Sequence, residues 1–528
     1  MVILKKIYTF LMPAIFGAYA VLALYSYNVQ AVRFGDIAWI LAVAVGCGLG
    51  LIGLFFLLFR DISKASLVAT CWMIVLFSYG QVYDVVHKSL GAGWGRNVIL
   101  LPLALVLLVF SVVWVWKLVR DASRPLVFFG WMVAVLCLMT GYSLVRYAIS
   151  INQGKVSQPV AVAQAAQPGD GPDIYYIILD AHGRQDILQE LYGYDDAEFI
   201  RFLQEKGFFV ADAGHSNYAQ TELSLSSSLN MQYLDTLGLP EGSASAGRTW
   251  LDGQIKDSRV RQILAQQGYR MVSFSNGYHT APEDADIYYD FGTTSSAADV
   301  KKLMGPSEVE QMFLASTLGR VVIDLGWLPR ITNNQEQYKF HYLQTEYIFD
   351  KLPGVAALPG KYFVFAHVIV PHPPFVFSPD GSFMNNPFPF SIADGSDYLG
   401  STQQYISGYR DQVEYVDKVM EQVISGILSA STTPPIIIIQ GDHGPGAYLD
   451  WNSVEKTNLD ERMSILNAYY FPGGHSGALY AGITPVNSFR VLLDEYFGMT
   501  YPLLEDRSYF STWKNPFDYI DVTGRLKQ

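Results

Sequence analysis

The sequence predicts a two-part α/β protein, with five transmembrane helices followed by a large domain built from a sheet with helices on both faces. Three observations predict it. Five long apolar stretches crowd the first 150 residues. Short β-branched runs alternate with helical stripes after residue 172. Charge divides unevenly between the two regions, with 11 Lys+Arg against 4 Asp+Glu in residues 1–150 and 25 against 44 in the rest. Alternating strands and helices define the α/β class. The chain has 528 residues, 50% hydrophobic and 14% aromatic, which excludes a fully disordered polymer. The acidic balance of the polar part also argues against nucleic acid as a partner, because phosphate backbones are bound by positive fields.

A spanning helix needs roughly 20 apolar residues to cross a hydrocarbon layer about 30 Å thick. Residues 7–25, 37–59, 65–82, 98–116 and 125–145 meet that requirement. The third is the least apolar, with Ser78, Tyr79, Gly80 and Gln81 near its end. No small-residue cleavage site follows the first stretch and four further spans do, so it reads as a span and not a signal peptide. With a cytoplasmic N-terminus, the inner flanks hold Lys5, Lys6, Arg60, Lys64, Lys117, Arg120 and Arg124, against Arg33, Lys88, Arg96 and Arg146 outside. That bias, with an odd number of spans, places the α/β domain outside the cytoplasm. Cys47, Cys71 and Cys137 all lie in spans, which leaves the exported part without a thiol or a disulfide.

Three regions follow: 1–150 as the transmembrane domain, 151–172 as a linker and 173–528 as the polar domain. Residues 153–171 are rich in Ala, Gln, Pro and Gly, as expected of a tether. Ile174–Leu179 reads as a buried strand, and 186–206 as a helix broken by a turn at 193–196. Residues 270–275, 362–370 and 435–439 are further strands, and 338–351, 403–428 and 486–497 are helices. In such folds ligands sit beyond the carboxyl ends of the strands.

Two apolar strands end abruptly in acids there: Ile177-Ile178-Leu179-Asp180 and Ile438-Ile439-Gln440-Gly441-Asp442-His443-Gly444. Either acid alone could cap a following helix; two of them in one sheet can converge on a single point at its carboxyl edge. Thr221 opens a helix-compatible run containing Leu223, Leu225 and Leu229. A threonine there ordinarily acts as an N-cap, yet free N–H groups and the helix dipole also suit a nucleophile that receives phosphate. The residues leave both readings open. His367 lies on the strand 362–370, where a core histidine is the alternative. His372 lies just beyond it, in a stretch stiffened by Pro371, Pro373 and Pro374.

Together, Asp180, Thr221, the His372-Pro-Pro-Phe loop and the Gly441–Gly444 turn resemble the alkaline phosphatase/sulfatase superfamily. Ile483-Thr484-Pro485-Val486-Asn487 is also similar to sulfatase-like proteins of surface-glycan pathways. The five-span frame narrows the likeness to membrane-anchored transferases, such as lipoteichoic acid synthases and phosphoethanolamine transferases. The resemblance implies a central, mostly parallel sheet. It implies one divalent metal held by Asp180, Thr221, Asp442 and His443, with Thr221 as nucleophile, and His372 and His367 on the substrate. Three oxygen ligands and one nitrogen favour Mn2+ or Mg2+, with Zn2+ as an alternative. The implied reaction moves a phosphoglycerol or phosphoethanolamine type group from a membrane phospholipid donor to a surface glycan or lipid acceptor. The implied place is the bacterial cytoplasmic (inner) membrane, with the catalytic domain outside. Hydrolysis of the same intermediate by water is the enzymatic alternative, and a glycan-binding assembly factor the non-enzymatic one.

The departures are specific. Sulfatases make formylglycine from Cys or Ser in a C/S-x-P-x-R motif, whereas Thr221 is followed by Glu-Leu-Ser. No histidine has an Asp four residues before it, so the Asp-x-x-x-His element of two-metal relatives is missing. Asp180 stands where the transferases usually carry Glu, and His182 follows as an extra polar group.

Overall fold

The computed structural model describes residues 2–29, 34–90, 96–154, 171–238, 247–303, 308–325, 335–388 and 390–527. The chain divides into two compact units, Met1–Ile149 with Met304–Asn333, and Ser150–Leu303 with Asn334–Gln528.

In the first unit, five helices are long and apolar enough to cross a membrane: α1 (Val2–Tyr27), α2 (Phe34–Phe59), α3 (Ile62–Leu90), α4 (Asn97–Lys117) and α5 (Ser123–Gly154). On α2 the buried residues Ile37, Ile40, Ala44, Gly48, Ile52 and Phe55 recur every three or four positions, one stripe turned to the bundle. Small residues set the approach of α1, since a Cβ on Gly17 would lie 2.6 Å from the carbonyl oxygen of Ala44. The third span, least apolar by sequence, is half buried, more than any other, and its Ser66, Thr70 and Tyr79 are among the buried residues.

Two helices from far along the chain, Glu308–Ser316 and Gly319–Asp324, belong to this membrane unit. The sequence reading had placed them in the domain 173–528. Their apolar residues are too few for a span, and nothing local in the sequence marks where such short helices dock. Of the expected linker 151–172, α5 takes in the first residues as far as Gly154, and 155–170 lie outside the described residues.

The second unit is built on a seven-stranded sheet of β1 (Ile174–Leu179), β2 (Phe209–Val210), β3 (Arg270–Phe274), β4 (Ile287–Tyr289), β5 (Tyr362–Val368), β6 (Ile436–Gln440) and β7 (Asn467–Tyr470). The order is β2-β7-β6-β1-β5-β3-β4. From β6 to β4 all neighbours are parallel, and β7 and β2 add an antiparallel edge. Sequence reading found β1, β3, β5 and β6; it missed β2, β4 and β7, which have two to four residues each.

β1 is buried on both faces and splits the core in two. Tyr175, Ile177 and Leu179 pack with Phe199, Ile348, Met420 and Ile424 from one helical layer. Ile174, Tyr176 and Ile178 pack with Leu225, Leu229, Ile263 and Phe489 from the other. Such burial accounts for a continuous apolar run in place of an alternating pattern. Helices Thr221–Asn230, Gln335–Lys351, Thr402–Ala430 and Pro485–Phe497 lie within two or three residues of their expected bounds or starting points. The expected break at 193–196 falls at Gly193, which has φ 65°.

β1 is the switch point: β5 lies on one side of it and β6 on the other. Ile178 is in register with both His367 and Gln440, so the residues just past β1, β5 and β6 leave the sheet side by side. The crevice beyond those three ends is where a ligand is expected.

Candidate active site

Asp180 follows β1 directly and Asp442-His443 follow β6. One ligand atom from each of Asp180, Asp442 and His443 lies within 4.8 Å of the others, the one such His/Cys/Asp/Glu group among the described residues. All three are buried. Ala181 adopts the left-handed conformation at φ 63°. Its N–H donates to Asp442 Oδ1 at 3.1 Å, so one oxygen of that carboxylate is fixed by backbone. The other, Asp442 Oδ2, and likewise Asp180 Oδ1, is buried with no hydrogen-bond partner.

His443 faces the same point. Its Nδ1 lies 3.0 Å from the Gly444 carbonyl, which can only accept, so Nδ1 carries the proton and Nε2 keeps its lone pair. Nε2 stands 3.3 Å from Asp442 Oδ2 and 3.7 Å from Asp180 Oδ1. Burial, and then Arg462, hold its pKa below the ordinary imidazole value, which keeps that lone pair free. Asp180 is held below the usual carboxylate range: burial opposes ionisation, but His372 and the hydrogen bond from His367 outweigh it.

Thr221 Oγ1 completes the group, 3.0 Å from His443 Nε2. Thr221 is the first helical residue and not the N-cap; Gln220 occupies the cap position and makes no side-chain cap bond. The hydroxyl therefore meets the imidazole and does not close the helix end. Two unpartnered carboxylate oxygens and an unprotonated imidazole nitrogen in one buried cluster, with a hydroxyl beside that nitrogen, fit a divalent cation.

The two remaining histidines differ. His367 lies on β5 with both ring nitrogens engaged. The Asn276 amide nitrogen and Thr280 Oγ1 meet Nδ1 at 3.2 and 2.8 Å, and Nε2 lies 3.1 Å from Asp180 Oδ2. Asn276 Oδ1 accepts from the Tyr278 N–H, which fixes the amide so that its nitrogen donates to His367 Nδ1. Nε2 then holds the proton and donates it to Asp180. His367 therefore bonds Asp180.

His372 is partly exposed, with its ring centroid 6.1 Å from that of His443. Nδ1 donates to the Pro373 carbonyl at 2.6 Å, and Nε2 sits 3.7 Å from Asp394 Oδ2. His182 turns away, bonding Asp417 at 2.8 Å.

Several residues at the site escaped sequence reading. Asp394 and Arg462 form a buried pair at 2.6 Å. Arg462 also donates to the carbonyls of Ala219 and Gly444, tying the threonine segment to the Asp-His turn. Glu222, next to Thr221, is buried against Arg248 at 3.1 Å and accepts from Tyr278. Burial raises its pKa, but Arg248, His279 and Tyr278 more than compensate and keep it ionised. Asn276, just past β3, could have been found by the strand-end rule; Asp394 and Arg462 lie in loop and short helix with no pattern around them.

The site thus sets a threonine hydroxyl at a helix start against a carboxylate–imidazole group at the ends of parallel strands. A family model for the sulfatases matches residues 172–490, and the chain belongs to the sulfatase family. Comparison with curated proteins finds no match.

Among solved structures, the chain is similar to the C-terminal periplasmic domain of EcEptC from Escherichia coli in complex with Zn. The identity is 12% and the TM-score 0.44, covering 68% of this chain and 96% of that one. It is also similar to the integral membrane lipooligosaccharide phosphoethanolamine transferase A (EptA) from Neisseria meningitidis, at 12% identity and TM-score 0.39, over 93% and 95% of the two chains. A third is the lipoteichoic acid synthase LtaP from Listeria monocytogenes, at 11% identity and TM-score 0.35, over 67% and 78%.

Proposed function

We propose that this protein is a metal-dependent phosphotransferase of the membrane-anchored sulfatase-like branch. It would move a phosphoglycerol or phosphoethanolamine type group from a phospholipid to a surface glycan or lipid. The observation that carries the reading is the buried cluster of Asp180, Asp442 and His443, with Thr221 Oγ1 3.0 Å from His443 Nε2. The five spans support a membrane lipid as donor, since the chain resides where phospholipids are the abundant phosphodiesters. The domain is read as extracytoplasmic from the loop charges, in a bacterial cytoplasmic membrane.

Asp180, Thr221, Asp442 and His443 would hold one divalent cation, Mn2+ or Mg2+ by the hardness of the set, with Zn2+ as the alternative. When bound, such an ion favours the alkoxide of a threonine whose free pKa is far above 7 and offsets charge on phosphoryl oxygens.

Thr221 Oγ1 attacks the phosphorus of the lipid. The bond from phosphorus to the diacylglycerol oxygen breaks, and the phospho-alcohol stays on Thr221. The free N–H groups at the start of Thr221–Asn230 face the transferred phosphate. His443 Nε2 would commit its one lone pair to the cation, and the Thr221 hydroxyl proton would pass to solvent as Oγ1 attacks. His372, the one site histidine turned to the open side, meets the phosphate or gives a proton to the departing oxygen. An acceptor hydroxyl then displaces Thr221 and restores the enzyme.

The test is release of diacylglycerol from labelled phospholipid by the purified full-length protein with added Mn2+. Release should require the cation and stop in Thr221→Ala, with the folded protein retained. Unchanged release in that variant would overturn the reading. Diacylglycerol formed with free phospho-alcohol, whatever acceptor is present, would favour the hydrolase.

A further inference from the structure

Met304–Asn333 interrupts the α/β unit in sequence and belongs to the membrane unit in space. Its two described helices, Glu308–Ser316 and Gly319–Asp324, have nine and six residues. At 1.5 Å per residue neither can cross a layer about 30 Å thick. They dock on the ends of spans.

The contact is close and mostly apolar. A Cβ on Gly80 of α3 would lie 1.9 Å from the carbonyl oxygen of Ala315, so the two backbones touch there. Phe313 meets Phe77 edge-on at 5.6 Å. Val309, Met312 and Phe313 pack on Val21, Ile37 and Ile40, and Val321 packs with Tyr79 and Ala104. The Leu318 N–H donates to the Leu76 carbonyl, at an otherwise helical position of α3, at 2.7 Å.

A polar seam borders this patch. Arg320 lies 4.4 Å from the Tyr83 ring centroid, 3.4 Å from Asp84 and 3.1 Å from Asp324. Asn97 donates to Asp324 at 2.7 Å and accepts from Tyr79 at 2.8 Å.

The contacted residues fall toward the C-terminal parts of α1 and α3 and the N-terminal parts of α2 and α4. In a chain that crosses back and forth, those four ends share one side with the C-terminus of α5, from which the α/β unit departs. The docked helices thus return to the side from which the chain leaves.

We infer that the ends of α1–α4 form a docking surface for Glu308–Asp324, which gives the α/β unit a second membrane attachment, independent of the linker. The chain runs from that unit into the docked segment after Leu303 and back out by Asn334. Cutting the linker therefore leaves the α/β unit held by this surface. The inference does not depend on the transferase reading, and its test reads attachment and not turnover.

The experiment uses full-length protein with an N-terminal affinity tag and a site-specific protease site placed within residues 155–170. After cleavage in mild detergent, the fragment from the linker to Gln528 should stay on the affinity resin with the tagged spans. Gly80→Leu, which opens the close approach, should cut the retained fraction by more than half. So should Arg320→Asp, which sets a carboxylate against Asp84 and Asp324. Because Gly80→Leu alters a span, a charge swap serves as the second arm: Arg320→Asp with Asp84→Arg should restore retention. A fragment that washes off the unsubstituted protein would overturn the inference. Full retention in both Gly80→Leu and Arg320→Asp would do the same.

Discussion

Asp180 Oδ1 and Asp442 Oδ2 are buried carboxylate oxygens that no donor reaches. Left so, each costs about 1–3 kcal/mol; a cation at their common point turns that cost into binding. Asp442→Asn should therefore abolish bound divalent metal, read by elemental analysis, while the α/β unit stays folded. Unchanged metal content in that variant would contradict the assignment. Asp196 makes a different statement. Both its oxygens are buried without partners, and burial, reinforced by Asp417, raises its pKa from 3.8 to about 7. The folded state keeps a proton that the unfolded chain releases between about pH 4 and 7. Stability from this group is thus lost as pH rises through that window, by up to about 4 kcal/mol. In Asp196→Asn, the fall in unfolding midpoint between about pH 5 and 7.5 should be shallower than in the parent protein. An equal or steeper fall would show that Asp196 does not bind the extra proton.

Among the elements, the ends of β1 and β6 matter most, and their loops pack with no spare room. A Cβ on Gly444 would lie 2.0 Å from the Glu461 carbonyl oxygen, and one on Gly441 2.5 Å from that of His182. Both neighbours are backbone and cannot swing aside. Gly444→Ala should cost about 1–3 kcal/mol and weaken metal binding, because the Gly444 carbonyl holds His443 Nδ1; a melt and a metal titration check both. These same strand ends explain what the sequence could disclose. Apolar runs stopping at Asp180 and Asp442 are local patterns, visible without a fold. Thr221 was ambiguous because cap and nucleophile occupy the same helix turn, and its bond to His443, 222 positions away, leaves no local pattern. Asp394, Arg462 and Glu222 were invisible because their roles come from partners distant in sequence, as in the 2.6 Å bond of Arg462 to Asp394. The docked helix Glu308–Ser316 was missed for a related reason: its apolar residues pack against spans encoded more than 200 positions earlier.

For the whole molecule, the five spans and the strand-end site belong to two separate units, each with its own core. In the proposed reaction a lipid phosphodiester would be broken and its phospho-alcohol would rest on Thr221. Intact-mass analysis of full-length protein incubated with phospholipid and Mn2+, with acceptor withheld, tests it most directly. A single adduct with the mass of the phospho-alcohol, mapping to the peptide that holds Thr221 and absent in Thr221→Ala, is the predicted result. Diacylglycerol release without any such adduct, or an adduct that persists in Thr221→Ala, would contradict it.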